Sequence, residues 1–143
     1  MTDTATPEQV FREGLRLLEQ NDFDAWTGLF AEDGVMEFPY APEGAPRRVE
    51  GREGIAAYMR PFPEHMEVHE LKDIVIHTTG DPRTAVVEFS SAGRAVATDE
   101  PFALSYVVFL TVDEHGRITR YRDYWNPLDA PASLRAGWER TGA

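Results

Sequence analysis

The sequence predicts an α+β domain in which a curved antiparallel sheet forms a cone around three N-terminal helices. Two patterns support this prediction. Apolar residues recur at helical spacing in three segments of the first sixty residues, whereas from residue 67 onward they mostly alternate with polar residues at the period of a strand. Glycine, proline and acidic residues mark turns between these segments. With 143 residues, the chain is long enough for one domain with a hydrophobic core and too short for two.

The predicted helices have recognisable ends. Residues 6–9 have the composition and spacing of a capping box with proline at the first helical position, so the first helix should begin there. Residues 21–22 interrupt it and supply the cap of a second, shorter helix whose aromatic residues share one side. A third helix is predicted over residues 51–60, and Pro61 and Pro63 should end it.

The sheet is predicted from alternation and turn signals. A first strand over residues 35–40 follows a turn at residues 32–34. Residues 41–49, which include Arg47 and Arg48, should form a surface loop. Further strands are expected over residues 68–77, 84–91, 102–112 and, after a turn at 113–116, in the segment that ends near Trp125, with residues 94–98 continuing the second of these beyond a bulge at Gly93.

The last strand holds the main candidate for chemistry, Asp123. Alternation places Thr119, Tyr121, Asp123 and Trp125 on one face, and Ile118, Arg120, Arg122 and Tyr124 on the other. A carboxylate between two aromatic rings is desolvated, which raises its pKa and makes it a usable proton carrier near neutral pH. The alternative is that Asp123 only pairs with a neighbouring arginine or caps a backbone group, since ion pairs also perturb carboxylates.

A cone that is open at one end would enclose a pocket for a hydrophobic or aromatic small molecule. The aromatic content of 11% is typical of such a site. The candidates for its lining are Trp26, Phe30, Phe38, Tyr40, Tyr58, Met59, Phe62, Phe89, Tyr106, Tyr121, Asp123 and Trp125. The alternative is that these rings fill the cone completely and leave no cavity.

Composition excludes several classes of function. The net charge of −11 argues against binding to nucleic acid or to an anionic membrane. The chain has no cysteine, so disulfides, a thiolate nucleophile and a cysteine-ligated metal are excluded. His65 and His69 are four residues apart, but they lie between prolines and a strand rather than on a helix, so we expect no metal site and no other cofactor. Without a signal peptide or a long apolar run, the expected location is cytoplasmic.

Four motifs suggest a family. They are NDFDAW at residues 21–26, LFAEDG at 29–34, GREGI at 51–55 and DEHGRI at 113–118. With the predicted order of elements, they resemble the SnoaL-like branch of the nuclear-transport-factor-2-like superfamily. The resemblance implies a cystatin-like α+β barrel formed by one domain at residues 7–128. It would follow a flexible tail at residues 1–6 and precede an extension at residues 129–143, in which Leu134 and Trp138 suggest a helical turn.

Fold alone does not select an activity in this superfamily, which includes ketosteroid isomerases, SnoaL-type polyketide cyclases, phenazine-biosynthesis A/B proteins, epoxide hydrolases and members that only bind. The ketosteroid isomerases need a tyrosine and a carboxylate at positions that Gly14 and Phe38 occupy here. The epoxide hydrolases need two carboxylates bridged by an arginine, and only Asp123 is found. We therefore expect this chain to use neither the ketosteroid isomerase mechanism nor the epoxide hydrolase mechanism.

The resemblance is nearest to the phenazine A/B group, because residues 122–126 follow its Arg-acid-aromatic-x-Asn run. That match implies a proton carrier at Asp123. It also implies a role for Tyr58, which stands where the group has a histidine, and a pocket role for Glu88, which matches an acid but would also be explained by pairing with Arg94.

The expected function is a cofactor-free acid/base isomerase, cyclase or condensation enzyme that acts on a hydrophobic or aromatic intermediate of secondary metabolism. Asp123 would move the proton, and Tyr58, Tyr40 or Tyr106 would stabilise the developing oxyanion. The alternative is a binding protein without turnover. The outer face of the last strand resembles the surface through which superfamily members dimerise, so a homodimer is expected. Whether Arg47, Arg48 and Arg52 contribute is left open.

Overall fold

The computed structural model describes residues 5–131. The helices are α1 (Pro7–Glu19), α2 (Phe23–Thr27), α3 (Arg52–Met59) and α4 (Phe62–His65), and a short 3-10 turn spans Pro127–Asp129. The strands are β1 (Phe30–Glu37), β2 (Arg48–Glu50), β3 (Met66–Thr78), β4 (Thr84–Ala95), β5 (Pro101–Val112) and β6 (Ile118–Trp125). The predicted α+β fold with a curved sheet is confirmed. The expected helical turn around Leu134 and Trp138 lies outside the described residues.

The six strands form one sheet in the order β2-β1-β6-β5-β4-β3. Strands β3 to β6 make an antiparallel meander, and β2 pairs antiparallel with β1. The pair β1 and β6 is parallel, which corrects the expectation of a wholly antiparallel sheet. The long chain segment between these two strands makes the parallel pairing possible, because parallel neighbours need an extended crossover rather than a tight turn.

The first two helices begin where the sequence predicts. The side chain of Thr6 accepts a hydrogen bond from the backbone N–H of Gln9, and the Gln9 side chain accepts one from the N–H of Thr6, which completes the capping box. Asp22 accepts from the N–H of Ala25 and so caps α2. These caps align the helices so that their apolar sides lie against the inner face of the sheet and form the main core with it.

The irregular start of β1 was missed by the sequence analysis. The strand begins at Phe30 and passes through the predicted turn at residues 32–34, where its register with β6 shifts. The two backbones are so close at Gly34 that a Cβ atom there would lie 2.7 Å from the carbonyl oxygen of Ile118. The acidic and glycine residues of the predicted turn therefore mark a bulge within the strand rather than its boundary.

Two short elements were also missed. Strand β2 lies at the end of the predicted loop of residues 41–49, and the N–H of Gly51 after it donates to the carbonyl of Gly34 over 2.7 Å. Helix α4 follows Pro61 and contains Pro63, the two prolines that were expected to end the third helix. Because Pro63 is in its first turn, where a backbone N–H has no intrahelical partner, the proline costs no hydrogen bond there.

Ile118 corrects one detail of the predicted face assignment. It was placed with the arginines on the outer face, yet it is only 2% exposed and belongs to the main core. The pairing of β6 with β5 is irregular between Thr111 and Val112, opposite the start of β6. Simple alternation does not extend through such an irregularity.

The close approach of β3 to β4 at Gly93 leads to a stability prediction. A Cβ at this position would lie 1.9 Å from the carbonyl oxygen of Glu67, so Gly93→Ala requires a shift of the backbone. We expect the variant to lose about 2 kcal/mol or more of unfolding free energy, measured by urea denaturation. Gly80→Ala is the matched control, because a Cβ there meets nothing within 4 Å. Equal stability of the two variants would contradict the expectation.

None of the helices within residues 5–131 is long and apolar enough to cross a membrane.

Candidate functional site

The inner face of the sheet and the four helices enclose a cavity of about 120 Å³. Its walls are almost entirely apolar and rich in aromatic rings. The lining residues are Leu18, Phe23, Trp26, Met36, Phe38, Tyr58, Met59, Phe62, Met66, Val68, Leu71, Phe89, Ser91, Leu104, Tyr106, Tyr121, Asp123 and Trp125. The rings therefore do not fill the cone, and the space that remains is comparable to one that accommodates a benzene-sized molecule.

Asp123 lies on β6 and turns into this cavity. Alternation along the strand places it on the same side as Tyr121, while Arg120 on the opposite side bonds to Glu37 over 2.5 Å. Asp123 is 9% exposed, and its buried Oδ1 has no hydrogen-bond partner in the part of the chain that the structure describes. Within residues 5–131 no arginine forms an ion pair with it, so the alternative in which Asp123 serves only as a salt-bridge partner does not describe this site.

Burial dominates the electrostatics of this carboxyl group. Loss of hydration raises the pKa of Asp123 from 3.8 to about 8, because burial penalises the charged form. At neutral pH the group is therefore mostly protonated and can act as an acid, and a modest rise in pH makes it a base.

Three tyrosines share the cavity with Asp123. Burial is the main cause that raises the pKa values of all three phenols. The nearby charge of Asp123 raises them further, and Tyr106 also raises the pKa of Tyr121. All three phenols therefore remain neutral through the physiological range and can donate hydrogen bonds rather than carry charge. Ser91 adds a further hydroxyl, whose oxygen lies 2.8 Å from the hydroxyl oxygen of Tyr106.

Aromatic contacts hold these side chains in place. The rings of Phe89 and Tyr106 stack with their centroids 4.6 Å apart. The rings of Trp26 and Tyr121 meet edge to face at 5.3 Å. Such contacts stabilise a single arrangement of the walls, so the cavity is preformed rather than created by a ligand.

Ten of the thirteen candidates from the sequence line the cavity: Trp26, Phe38, Tyr58, Met59, Phe62, Phe89, Tyr106, Tyr121, Asp123 and Trp125. Phe30 does not, because it is completely buried against Trp26, with the two ring centroids 5.1 Å apart. It supports the wall from behind rather than meeting the cavity.

Tyr40 and Glu88 lie on the outer side of the sheet. Strand β1 ends at Glu37, so alternation does not extend to Tyr40, which is 63% exposed and packs against Tyr124. Glu88 is on the outward face of β4 and lies 2.7 Å from Nε2 of His77. The alternative explanation, a pairing of Glu88 with Arg94, is therefore wrong. Both Tyr40 and Glu88 lie outside the inner site.

Arg94 instead donates to Glu67 and Asp99. The other arginines that were left open also lie away from the cavity lining. Arg48 bonds to Glu37 and Glu50, and Arg52 donates to the carbonyl of Phe30. Arg47 lines an open groove on the outer side of the sheet.

Sequence reasoning missed eight wall residues: Leu18, Phe23, Met36, Met66, Val68, Leu71, Ser91 and Leu104. Two had a usable signal. Met36 alternates with Phe38, and Ser91 continues the inward series of Val87 and Phe89. The others are contributed by helices and strands whose packing partners are remote in sequence, so no local pattern identifies them.

His65 and His69, for which we expected no metal, lie at the end of α4 and on β3. His69 lies 2.8 Å from Glu67, and His65 ends α4. In the described part of the chain, no three acidic or histidine side chains are grouped closely enough to hold a metal ion.

The chain is similar in sequence to known proteins, and in fold to a solved structure. The family model of the SnoaL-like domain matches residues 11–121. The uncharacterized PhzA/B-like protein PA3332 of Pseudomonas aeruginosa is 44% identical over 121 residues, covering 85% of this chain and 84% of the relative. The uncharacterized protein YesE of Bacillus subtilis is 36% identical over 120 residues, covering 84% of this chain and 81% of the relative. A crystal structure from Bacillus subtilis, named as that of a candidate isomerase, has a TM-score of 0.80 and 33% identity, covering 94% of this chain and 91% of that one.

Proposed function

Because the chain belongs to the SnoaL-like domain family, as the resemblance to the nuclear-transport-factor-2-like superfamily predicted, we propose that its cavity binds a hydrophobic or aromatic small molecule and that Asp123 exchanges a proton with it. One observation supports the proposal above all others. A single carboxyl group is buried in an apolar cavity with its pKa raised to about 8, so that both of its protonation states are accessible near neutral pH.

The proposed chemistry is cofactor-free acid/base catalysis of an isomerisation, cyclisation or condensation. Asp123 transfers the proton, and Tyr58 and Tyr106 donate hydrogen bonds to the oxygen on which negative charge develops. The hydroxyl of Ser91 orients that of Tyr106. The name of one relative, a candidate isomerase, supports this choice of reaction class. Tyr40, which lies outside the cavity, has no part in the proposal.

The second candidate is a binding protein without turnover, and the small cavity favours it. A volume of about 120 Å³ holds one ring, whereas a cyclisation acts on a larger molecule. A substrate of several rings would need the walls to open.

Ligand capture followed by native mass spectrometry distinguishes the two candidates. The purified protein is exposed to a small-molecule extract of the producing cells, and retained and released molecules are identified. If the protein is an enzyme, the wild type should release a chemically altered molecule, whereas the Asp123→Asn variant should retain the unaltered one. Recovery of one unchanged molecule from both proteins would support binding alone, and recovery of none would count against the proposed pocket.

We also propose that the outer sheet face mediates a homodimer. Tyr40, Phe109 and Tyr124 form an external aromatic cluster, with the ring of Tyr124 5.3 Å from that of Tyr40 and 5.7 Å from that of Phe109. Exposed clusters of this kind are typical of contact surfaces. Salt bridges of Glu37 with Arg48 and Arg120 lie on the same side and would form a polar rim.

Light scattering tests the dimer. We expect a mass close to twice that of the 16.1 kDa chain, and a single-chain mass for Phe109→Glu, because the new carboxylate would be buried without a partner. Val96→Glu is the matched control, because Val96 is exposed at the turn between β4 and β5. A monomeric wild-type protein at working concentration would refute the dimer.

A further inference from the structure

The titratable groups of the cavity are all acids. Asp123 and the phenols of Tyr58, Tyr106 and Tyr121 face it, and among residues 5–131 no lysine, arginine or histidine lines its wall. A carboxylate or phosphate entering this space would find no counter-charge and would lie beside an acid that is already reluctant to ionise. The cavity therefore disfavours ligands that enter with a full negative charge and favours neutral or positively charged ones.

The carboxyl group lacks a partner that a ligand could supply. Oδ1 of Asp123 is buried and accepts no hydrogen bond from the described residues, although buried polar atoms in folded proteins are nearly always paired. A donor placed in the cavity beside Asp123 would satisfy this oxygen. A charged donor would form a bond about twice as strong as a neutral one, because the surroundings are desolvated.

The remaining wall also suits a cation. Eight aromatic rings besides Tyr121 surround the space or close its ends: Phe23, Trp26, Phe38, Tyr58, Phe62, Phe89, Tyr106 and Trp125. Aromatic rings attract cations through the negative charge of their faces, and cages of such rings are a recurring means of binding ammonium groups. The net charge of −11 adds a long-range field that attracts cations to the protein.

We propose that the cavity binds a small aromatic or apolar amine, with its ammonium group paired to the carboxylate of Asp123. The proposal rests on the small-molecule function proposed above and names the chemical class of its ligand. At neutral pH the pair forms by proton release: the protonated Asp123 and the free ammonium ion give the ion pair and one proton to solvent. No other bond is made or broken.

Three single-ring probes of nearly equal size test the charge preference: benzylamine, benzyl alcohol and benzoate. The amine remains mostly protonated up to about pH 8.5, because it is a weaker base than a lysine side chain but a stronger one than the carboxylate of Asp123. Its affinity, measured by isothermal titration calorimetry, should rise up to about tenfold per pH unit between pH 6 and 8 and then level off, because the carboxyl group must lose its proton first. The affinity of the alcohol should not rise over this range, and benzoate should not bind.

Proton release gives a second readout. Titrations in buffers of different ionisation enthalpy should show close to one proton released per benzylamine bound at pH 6.5, and little release at about pH 8.5, where Asp123 is mostly ionised and the amine still mostly protonated. Asp123→Asn should weaken benzylamine binding by about 100-fold and change benzyl alcohol binding by less than about threefold, because the amide has nearly the same shape and no charge. Asp33→Asn, an exposed aspartate on β1, should leave both affinities unchanged.

The probes separate failure of this inference from failure of the proposed pocket. If benzyl alcohol binds as tightly as benzylamine, or if the amine binds without releasing a proton, the ammonium inference is overturned and the pocket stands. If none of the three probes binds to folded protein, both proposals are overturned. Retained binding of benzyl alcohol by Asp123→Asn shows that the variant is folded and that its loss of amine binding is specific.

Discussion

Asp123→Asn is expected to lower product formation by about 100-fold to 10,000-fold, the range that a positioned general acid or base contributes. The amide preserves the size of the side chain but can neither give nor take the proton. The rings of the wall are unchanged, so ligand binding should survive where the ligand is neutral. The measurement is the rate of product release from the molecule captured in the mass-spectrometric experiment, or product formation in the producing cells.

Asp33→Asn is the control for this prediction, because Asp33 is exposed and outside the cavity. It should retain wild-type turnover. Tyr106→Phe removes a proposed hydrogen-bond donor but leaves the ring stacked on Phe89, so it should reduce turnover less than Asp123→Asn does. Unchanged product formation by Asp123→Asn would end the enzymatic role of this residue.

The second large effect concerns the pH dependence of stability. Burial raises the pKa of Asp123 from 3.8 to about 8, so between these values the folded protein retains a proton that the unfolded chain has lost. Stability from this group is therefore fully present below about pH 4 and is lost as pH rises to about 8. The slope is up to about 1.4 kcal/mol of unfolding free energy per pH unit.

Asp123→Asn lacks this titration. Relative to the difference in unfolding free energy between the two proteins at pH 5 to 6, the variant should gain roughly 3 kcal/mol over the wild type at pH 8. Glu37, Glu67 and Asp113 have lowered pKa values through their hydrogen bonds and contribute the opposite trend at acid pH, but equally in both proteins. The difference between the two urea-denaturation series, measured from pH 5 to 9, isolates Asp123. Parallel series would show that this carboxyl group does not titrate as a desolvated acid.

Local patterns predicted much of the architecture. The capping box set the start of α1, and the aspartate at residue 22 capped α2, because both devices involve residues only three apart. Alternation along β6 placed Tyr121 and Asp123 inward and Arg120 outward. These features depend on neighbours in the chain, so the sequence contains the information that they require.

Errors arose where the local pattern was interrupted. The bulge in β1 was interpreted as a turn, the irregular pairing at the start of β6 turned Ile118 inward, and the end of β1 left Tyr40 outside. Glu88 was proposed from a family match, although alternation with Val87 and Phe89 already placed it outward. The irregular stretches of β1 and β6 depend on how each strand pairs with a partner that is distant in the chain, so local alternation does not predict them.

The sequence by itself determined the fold class, the helix caps and the inward orientation of Asp123. Only the tertiary structure decided that Ser91 meets Tyr106, that Oδ1 of Asp123 has no partner among residues 5–131, and that none of the basic side chains of those residues lines the cavity. The reason is physical: desolvation, hydrogen-bond pairing and empty volume are produced by every element that surrounds a point in space. Most of those elements are remote along the chain from the residue whose chemistry they change.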